Sequence, residues 1–144
     1  GVAMLPQPYV TVAQTQIEGL KIAIDLNDEW DKLENGSQFI TGVLVARKDF
    51  TEKYPKATAE FLKEYEASTE YANENVEEAA NLIEKFNIVK AAVAKKAIPY
   101  CNITFIAGED MKTAMNGYLK VLYDQNPKSD GGTLPADDFY HVEK

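Results

Sequence analysis

The sequence predicts an α/β fold, because short runs of β-type residues come before and between amphipathic helical patterns. Val2–Leu5 is a short apolar run, and Leu20–Ile24 alternates apolar and polar residues as a strand does. Phe39–Ala46 is almost continuously apolar, which is typical of a strand buried on both faces. About three strands are too few for a complete sheet. We therefore expect the neighbouring strands to come from further polypeptide or from a second copy of this chain.

Proline positions and apolar spacing predict the helices. Pro8 suits the first turn of a helix over Tyr9–Glu18. Apolar residues at spacings of three and four then form stripes that are typical of amphipathic helices. These stripes predict helices after Pro55, over Val76–Phe86, over Val89–Ala97 and from Glu109 to the residue before Pro127, with Asn75 and Glu78 at capping-box spacing and a loop-like tail over Lys128–Lys144.

Composition limits the class of protein. The chain has 144 residues, of which 45% are apolar and 26% are charged, so we expect an ordinary globular domain. Its net charge of −8 argues against nucleic acid and anionic membranes as partners. No apolar run approaches the roughly 20 residues that cross a bilayer. The first residues lack the features of a signal peptide, so any export signal is expected outside this chain.

The sequence predicts no catalytic residue, no metal and no cofactor. The chain has one cysteine, Cys101, and one histidine, His141, which disfavours a transition-metal site. It has no glycine-rich phosphate loop and no nucleophile elbow. Asp137 and Asp138 beside Tyr140 and His141 resemble an acid/base cluster, but a flexible tail is a poor support for catalytic geometry. Cys101 is interpreted as a packed or idle thiol.

A turn near the start of the chain is the first candidate ligand site. Leu5, Pro6, Gln7 and Tyr9 follow a predicted strand and open a predicted helix. Ligands of open α/β sheets lie at the carboxyl ends of strands, and free N–H groups at a helix start favour polar ligand atoms. The alternative is a rigid proline-flanked turn that binds nothing.

Gln38 and Thr41 are the second candidate pair. They are polar residues at the start of the most apolar predicted strand, where a cleft between two lobes would use them. The alternative is a strand end with ordinary solvent-facing polar groups. Trp30 is interpreted as a half-buried aromatic residue on an acidic surface helix, in preference to a cation–π site.

The order of several segments resembles one protein family. It is similar to the C-terminal half of type II periplasmic solute-binding proteins of ABC importers, in the branch that binds sulfonates, nitrate and thiamine precursors. The resemblance implies a three-layer αβα fold with an incomplete sheet. It makes residues 1–36 the tail of the second lobe and residues 37–144 the returning part of the first. The segments that carry it are Val2–Tyr9, Asp25–Asn27, Phe39–Ala46, Lys48–Phe50, Tyr54–Tyr65 and Ala97–Met111.

The resemblance also implies a function without catalysis. It indicates an extracytoplasmic component that binds a small organic molecule and delivers it to a membrane permease. Such a protein is periplasmic or lipid-anchored, and here it would be a fragment of a longer product. Two alternatives remain. One is an enzyme on the same fold, in a pyrimidine-precursor or menaquinone pathway, and the other is a homodimeric interaction module.

Overall fold

The structure, a computed structural model, describes residues 1–142 and consists of helices joined by extended or irregular segments. Within these residues no helix is long and apolar enough to cross a membrane. The α-helices are α1 (Tyr9–Gln16), α2 (Leu26–Asp31), α3 (Lys48–Lys53), α4 (Pro55–Glu74), α5 (Val76–Lys85), α6 (Ala91–Ala97) and α7 (Gly108–Gln125), and short 3-10 turns cover Ile98–Tyr100, Pro127–Asp130 and Asp137–Phe139.

The chain divides into two compact units, each built from two stretches of sequence. The first unit comprises Gly1–Lys21 and Ala46–Phe105, and it contains α1 and α3 to α6. The second comprises Ile22–Val45 and the described residues from Ile106 onward, with α2, α7 and the two C-terminal 3-10 turns. The predicted boundary at residue 36 falls inside the second unit, and the assignment of its two sides to lobes stays a prediction.

The first unit is organised by the contact of α5 with α6. Its core is made of small residues together with one larger one: Ala79 and Ala80 from α5, Ala94 from α6, and Ile98 just after it. Ala80 and Ala94 are each only 2% exposed. Alanines at a helix contact allow the two backbones to approach closely. Burial of the alanine methyl groups away from water stabilises the helix pair. Half-buried apolar residues surround this core: Ala72, Val76, Ile83, Val89, Ala91 and Ile103.

The start of α6 is fixed by a carboxylate from α5. Glu84 accepts a hydrogen bond from the backbone N–H of Ala91 at 2.9 Å and one from Lys90 Nζ at 3.1 Å. The first N–H groups of a helix have no partner within the helix, so an external acceptor stabilises that end. These bonds, chiefly that from Ala91, lower the pKa of Glu84 below its usual value.

The predicted capping box at the start of α5 does not form. Asn75 makes no side-chain capping bond to α5, and its Nδ2 instead donates to the carbonyl oxygen of Tyr71 at 3.2 Å. Its backbone N–H bonds the same carbonyl at 2.9 Å. Asn75 therefore closes the C-terminal end of α4 rather than opening the helix that follows.

An aromatic cluster organises the second unit. The ring centroid of Trp30 lies 5.3 Å from that of Phe39 and 5.2 Å from that of Tyr118. Trp30 Nε1 donates to Ser37 Oγ at 2.8 Å, and that hydroxyl donates to Asn35 Oδ1 at 2.6 Å. The indole thus has both an apolar contact and a polar partner, as a partly buried tryptophan requires.

A glycine brings the segment around Ser37 against α7. A methyl group added at Gly117 would lie 2.8 Å from Ser37 Cβ and 3.2 Å from Ser37 Cα. A glycine inside a helix costs about 1 kcal/mol relative to alanine, so this position is explained by packing rather than by helix stability. The close approach holds Ser37 where it can accept the bond from Trp30.

The prediction of a three-layer αβα fold with an incomplete sheet is wrong, because no β-strand is present within residues 1–142. The segments predicted as strands, Val2–Leu5, Leu20–Ile24 and Phe39–Ala46, are non-helical and pair with no strand in the described part of the chain. Val45 is 78% exposed and Val43 57% exposed, so the apolar run is not buried on both faces. The described residues form an all-helical fold.

Enlarging Ala94 should destabilise the first unit. An Ala94→Leu side chain would have to fit between α5 and α6, and overpacking of this kind costs about 1–3 kcal/mol. We expect the urea midpoint, followed by helical circular dichroism, to fall in that variant. Ala92→Leu, at an exposed position of the same helix, should leave the midpoint almost unchanged. Equal midpoints for the two variants would contradict the α5–α6 packing.

The stabilising effect of Glu84 should depend on pH. Since its pKa is lower in the folded protein than the ordinary value of 4.5, the carboxylate stabilises the fold above that value. The effect is lost as the pH falls through the folded pKa. Glu84→Gln should therefore unfold at lower urea than the wild type at pH 7, and the difference should shrink below about pH 4. The same difference in urea midpoint at both pH values would contradict this assignment. Glu64→Gln on α4 is the control and should show no such pH-dependent difference.

Candidate functional site

The predicted ligand turn lies in the first unit and is largely occupied with its own hydrogen bonds. Gln7 Oε1 accepts from Thr11 Oγ1 at 2.8 Å and from the Thr11 N–H at 3.4 Å. The Val10 N–H donates to the Pro6 carbonyl at 3.1 Å. Leu5 is 45% exposed and Tyr9 63% exposed, so both side chains are accessible. Ligand contact at this turn stays a prediction.

The second predicted pair lies in the second unit. Gln38 and Thr41 are both exposed, on either side of the half-buried Phe39 and Ile40. Phe39 joins the aromatic cluster, so Gln38 is held next to an ordered ring. Nothing links these two side chains to each other, and their role as ligand contacts stays a prediction.

A polar cluster on α7 is the strongest candidate site that the structure presents. Lys112 and Asn116 are four residues apart and therefore lie on one face of α7. Asp137 and Tyr140 come from the C-terminal segment, which returns to this face. Lys112 Nζ lies 3.0 Å from Asp137 Oδ1, and Tyr140 donates from its hydroxyl to Asn116 Oδ1 at 2.6 Å. An ammonium, a carboxylate, an amide and a phenol thus share one surface of the second unit.

The electrostatics of the cluster keep Lys112 charged and Tyr140 neutral. The hydrogen bond that Lys112 donates to Asp137 raises the pKa of Lys112, and the nearby charges of Asp137 and Glu109 raise it further. Burial raises the pKa of the Tyr140 phenol; Lys112 lowers it, while Asp137 raises it. At neutral pH the site therefore offers a fixed cation and a protonated hydroxyl. Lys112 can stabilise negative charge on a bound molecule, whereas the Tyr140 hydroxyl already donates its proton to Asn116.

The C-terminal segment is more ordered than the sequence predicts. The sequence predicts a loop-like tail that is a poor support for chemical groups, yet Pro127–Asp130 and Asp137–Phe139 form 3-10 turns. Tyr140 is 8% exposed and packs edge-on against Phe139, with ring centroids 5.2 Å apart. Glu143 and Lys144 lie outside the described residues. The sequence signal for this site is the group of Asp137, Asp138, Tyr140 and His141, which resembles an acid/base cluster but lies in a tail predicted to be flexible.

The single cysteine and single histidine do not join this cluster. Cys101 is half-buried, and burial raises the pKa of its thiol, so the thiol keeps its proton at neutral pH. A protonated thiol is a poor nucleophile, in keeping with the interpretation of a packed side chain. His141 is exposed. Within residues 1–142 no group of three or more His, Cys, Asp or Glu side chains could hold a metal ion.

Comparison of the sequence with models of protein families shows which family this chain belongs to. Residues 12–124 match the model of a family described as menaquinone biosynthesis. This chain belongs to the menaquinone biosynthesis family. The match begins within α1 and ends one residue before the end of α7, so it includes Lys112 and Asn116. No curated protein and no solved structure matches the chain.

The family match overturns the predicted resemblance. The chain is not a member of a solute-binding family of ABC importers, so the predictions of a transport role and of a membrane permease as partner are wrong. The prediction that the chain is not an enzyme is also wrong, because the family indicates an enzyme of a biosynthetic pathway. The alternative of a menaquinone-pathway enzyme is confirmed. An extracytoplasmic location stays a prediction.

Adding a methyl group at Gly117 should disturb the aromatic cluster. Gly117→Ala would push Ser37 away from α7, because the new Cβ would meet it at 2.8 Å. We expect lower thermal stability and a changed emission maximum from Trp30, the single tryptophan. Gly42→Ala is the matched control, since an added Cβ there meets nothing within 4 Å. An unchanged emission spectrum in Gly117→Ala would contradict the close approach.

Proposed function

We propose that this menaquinone biosynthesis protein carries out its chemistry at the α7 cluster, with Lys112 as the charged group that contacts the substrate. The family match over residues 12–124 is the observation that supports a role in this pathway. The cluster supports the choice of site, because it places the Lys112 ammonium on the same face of α7 as the Asn116 amide, which Tyr140 orients. Sites on rigid helices hold reacting groups more precisely than sites on loops.

Lys112 is suited to stabilising a negatively charged oxygen on the substrate. Its ammonium has three N–H donors, and Asp137 accepts one of them. A preorganised cation next to developing charge is among the largest single contributions to enzyme catalysis. Tyr140 acts through Asn116. Its hydroxyl donates to Asn116 Oδ1 and so orients the Asn116 amide.

Deleting the gene should remove menaquinone from the source organism, and restoring it should return the quinone. Complementation with the full-length wild-type gene and with Lys112→Met would then test the site, with menaquinone measured by mass spectrometry of lipid extracts. We expect Lys112→Met to restore less than about a tenth of the wild-type level, in line with the loss of one charge-stabilising donor.

The matched control is Lys120→Met on the same helix. Lys120 pairs with Asp124 one turn further along α7 and does not join the cluster. It should restore menaquinone fully, provided that both variants accumulate to the same protein level. Unchanged menaquinone after gene deletion would refute the proposed function, whereas full restoration by Lys112→Met would refute only the proposed site.

A further inference from the structure

The chain contains two asparagine–glycine pairs, and the structure places them in opposite surroundings. Asn35 and Gly36 are both exposed, in the bend that follows α2, and Gly36 has a φ of 73°. Asn116 and Gly117 lie in the interior of α7. A glycine after an asparagine leaves the main-chain nitrogen open to the side-chain amide, because no Cβ shields it. The two pairs therefore share one chemistry and differ in conformation.

The main-chain nitrogen of Gly36 is available as a nucleophile. Within residues 1–142 its N–H donates to no acceptor. Apart from the chain neighbours, no atom lies within 4 Å of the position that a Cβ would take at Gly36, so the space beside it is open. In an α-helix each N–H is bonded to the carbonyl four residues before it, which holds the nitrogen of Gly117 within α7.

Ser37 activates the side-chain carbonyl of Asn35. Asn35 Oδ1 accepts from the Ser37 N–H at 3.0 Å and from Ser37 Oγ at 2.6 Å. That hydroxyl is in turn held by Trp30 Nε1 at 2.8 Å. Two donors on one carbonyl oxygen stabilise the negative charge that develops there when a nucleophile attacks the carbon, as in an oxyanion hole. Asn116 Oδ1 also accepts from Tyr140, so the decisive difference between the pairs is the availability of the nitrogen.

We propose that Asn35 is a site of spontaneous deamidation, in which Gly36 supplies the nucleophile and Ser37 stabilises the transition state. The deprotonated nitrogen of Gly36 forms a bond to Asn35 Cγ. The bond from Cγ to Nδ2 then breaks, and the amide nitrogen leaves as ammonia after taking up a proton from solvent. Water adds to either carbonyl of the resulting cyclic imide and opens it. The products are aspartate or isoaspartate, with one water consumed and one negative charge gained.

The two products should affect the second unit differently. Aspartate keeps the length of the main chain and an oxygen acceptor for Ser37. Isoaspartate lengthens the main chain by one carbon directly before Gly36 and so displaces Ser37. There is little room for this residue to move toward α7, since a Cβ at Gly117 would already meet Ser37 Cβ at 2.8 Å. Movement away from α7 breaks the hydrogen bond from Trp30.

Peptide mapping by mass spectrometry tests the site after long incubation of the full chain in mildly alkaline buffer, with Asn116 as the internal control. In the folded protein the mass change from amide to carboxylate should accumulate at Asn35 at least about tenfold faster than at Asn116, because Gly117 reacts only after local unfolding of α7. In urea the two sites should react at similar rates. Equal rates in the folded protein, or a folded protein that is unreactive at Asn35, would overturn the proposal.

Ser37→Ala tests the stabilising donor. This variant keeps the N–H and loses the hydroxyl, so deamidation of Asn35 should slow by about two- to tenfold, the value of one hydrogen bond. Ser129→Ala, at an exposed position after α7, is the matched control and should leave the rate unchanged. Helical circular dichroism checks that both variants are folded. An unchanged rate in folded Ser37→Ala would overturn the role of Ser37; if that variant does not fold, the comparison of Asn35 with Asn116 in the wild type still decides the site.

The emission of Trp30 distinguishes the two products after ion-exchange separation. Asn35→Asp reproduces the aspartyl product and should emit as the wild type does. The isoaspartyl fraction should show a changed emission maximum, because Ser37 no longer accepts from the indole. Identical spectra for the isoaspartyl fraction and the wild type would overturn the effect on the aromatic cluster.

Discussion

Close approach through small side chains is the constraint on which both units depend. In the first unit Ala80 and Ala94 let α5 lie directly against α6. In the second unit Gly117 lets the backbone at Ser37 reach α7. The contact at Gly117 has no room for an added methyl group without a shift, and the buried alanines lie in an interior that is packed nearly as densely as an organic crystal. The larger apolar side chains around these contacts are mostly half-buried, with Ile98 as the exception in the first unit.

The helices could be predicted from the sequence because their signals are local. Pro55 begins α4 and the acidic Glu109 and Asp110 lie in the first turn of α7, as the residue pattern predicts. Strands depend instead on a partner that is distant in sequence. The apolar run at Phe39–Ala46 has the composition of a strand, but within the described residues no other segment supplies the matching backbone groups. An apolar run alone thus could not distinguish a strand from an exposed extended segment.

The sequence indicates only half of the candidate site, since Asp137 and Tyr140 resemble an acid/base cluster but their contact with α7 is not visible in the sequence. Tyr140 and Asn116 are 24 residues apart, and no periodic pattern connects a polar tail to one face of α7. The predicted site residues suit a cleft between two lobes, whereas in the structure Gln7 bonds the start of its own helix through Thr11. The resemblance to solute-binding proteins rested on turn and helix motifs that many folds share. The menaquinone alternative was correct as a pathway but pointed to no residue.

The exposed run before α3 also affects how the protein behaves at high concentration. Val43, Leu44 and Val45 are each more than half exposed and carry no charge. β-branched, uncharged segments with free backbone groups are the usual starting points of intermolecular cross-β aggregation. Charged residues immediately follow, at Arg47 and Asp49, and such flanking charges act as gatekeepers against stacking of identical chains. Colloidal stability of this protein therefore depends on a few ionic residues that have no part in holding its core together.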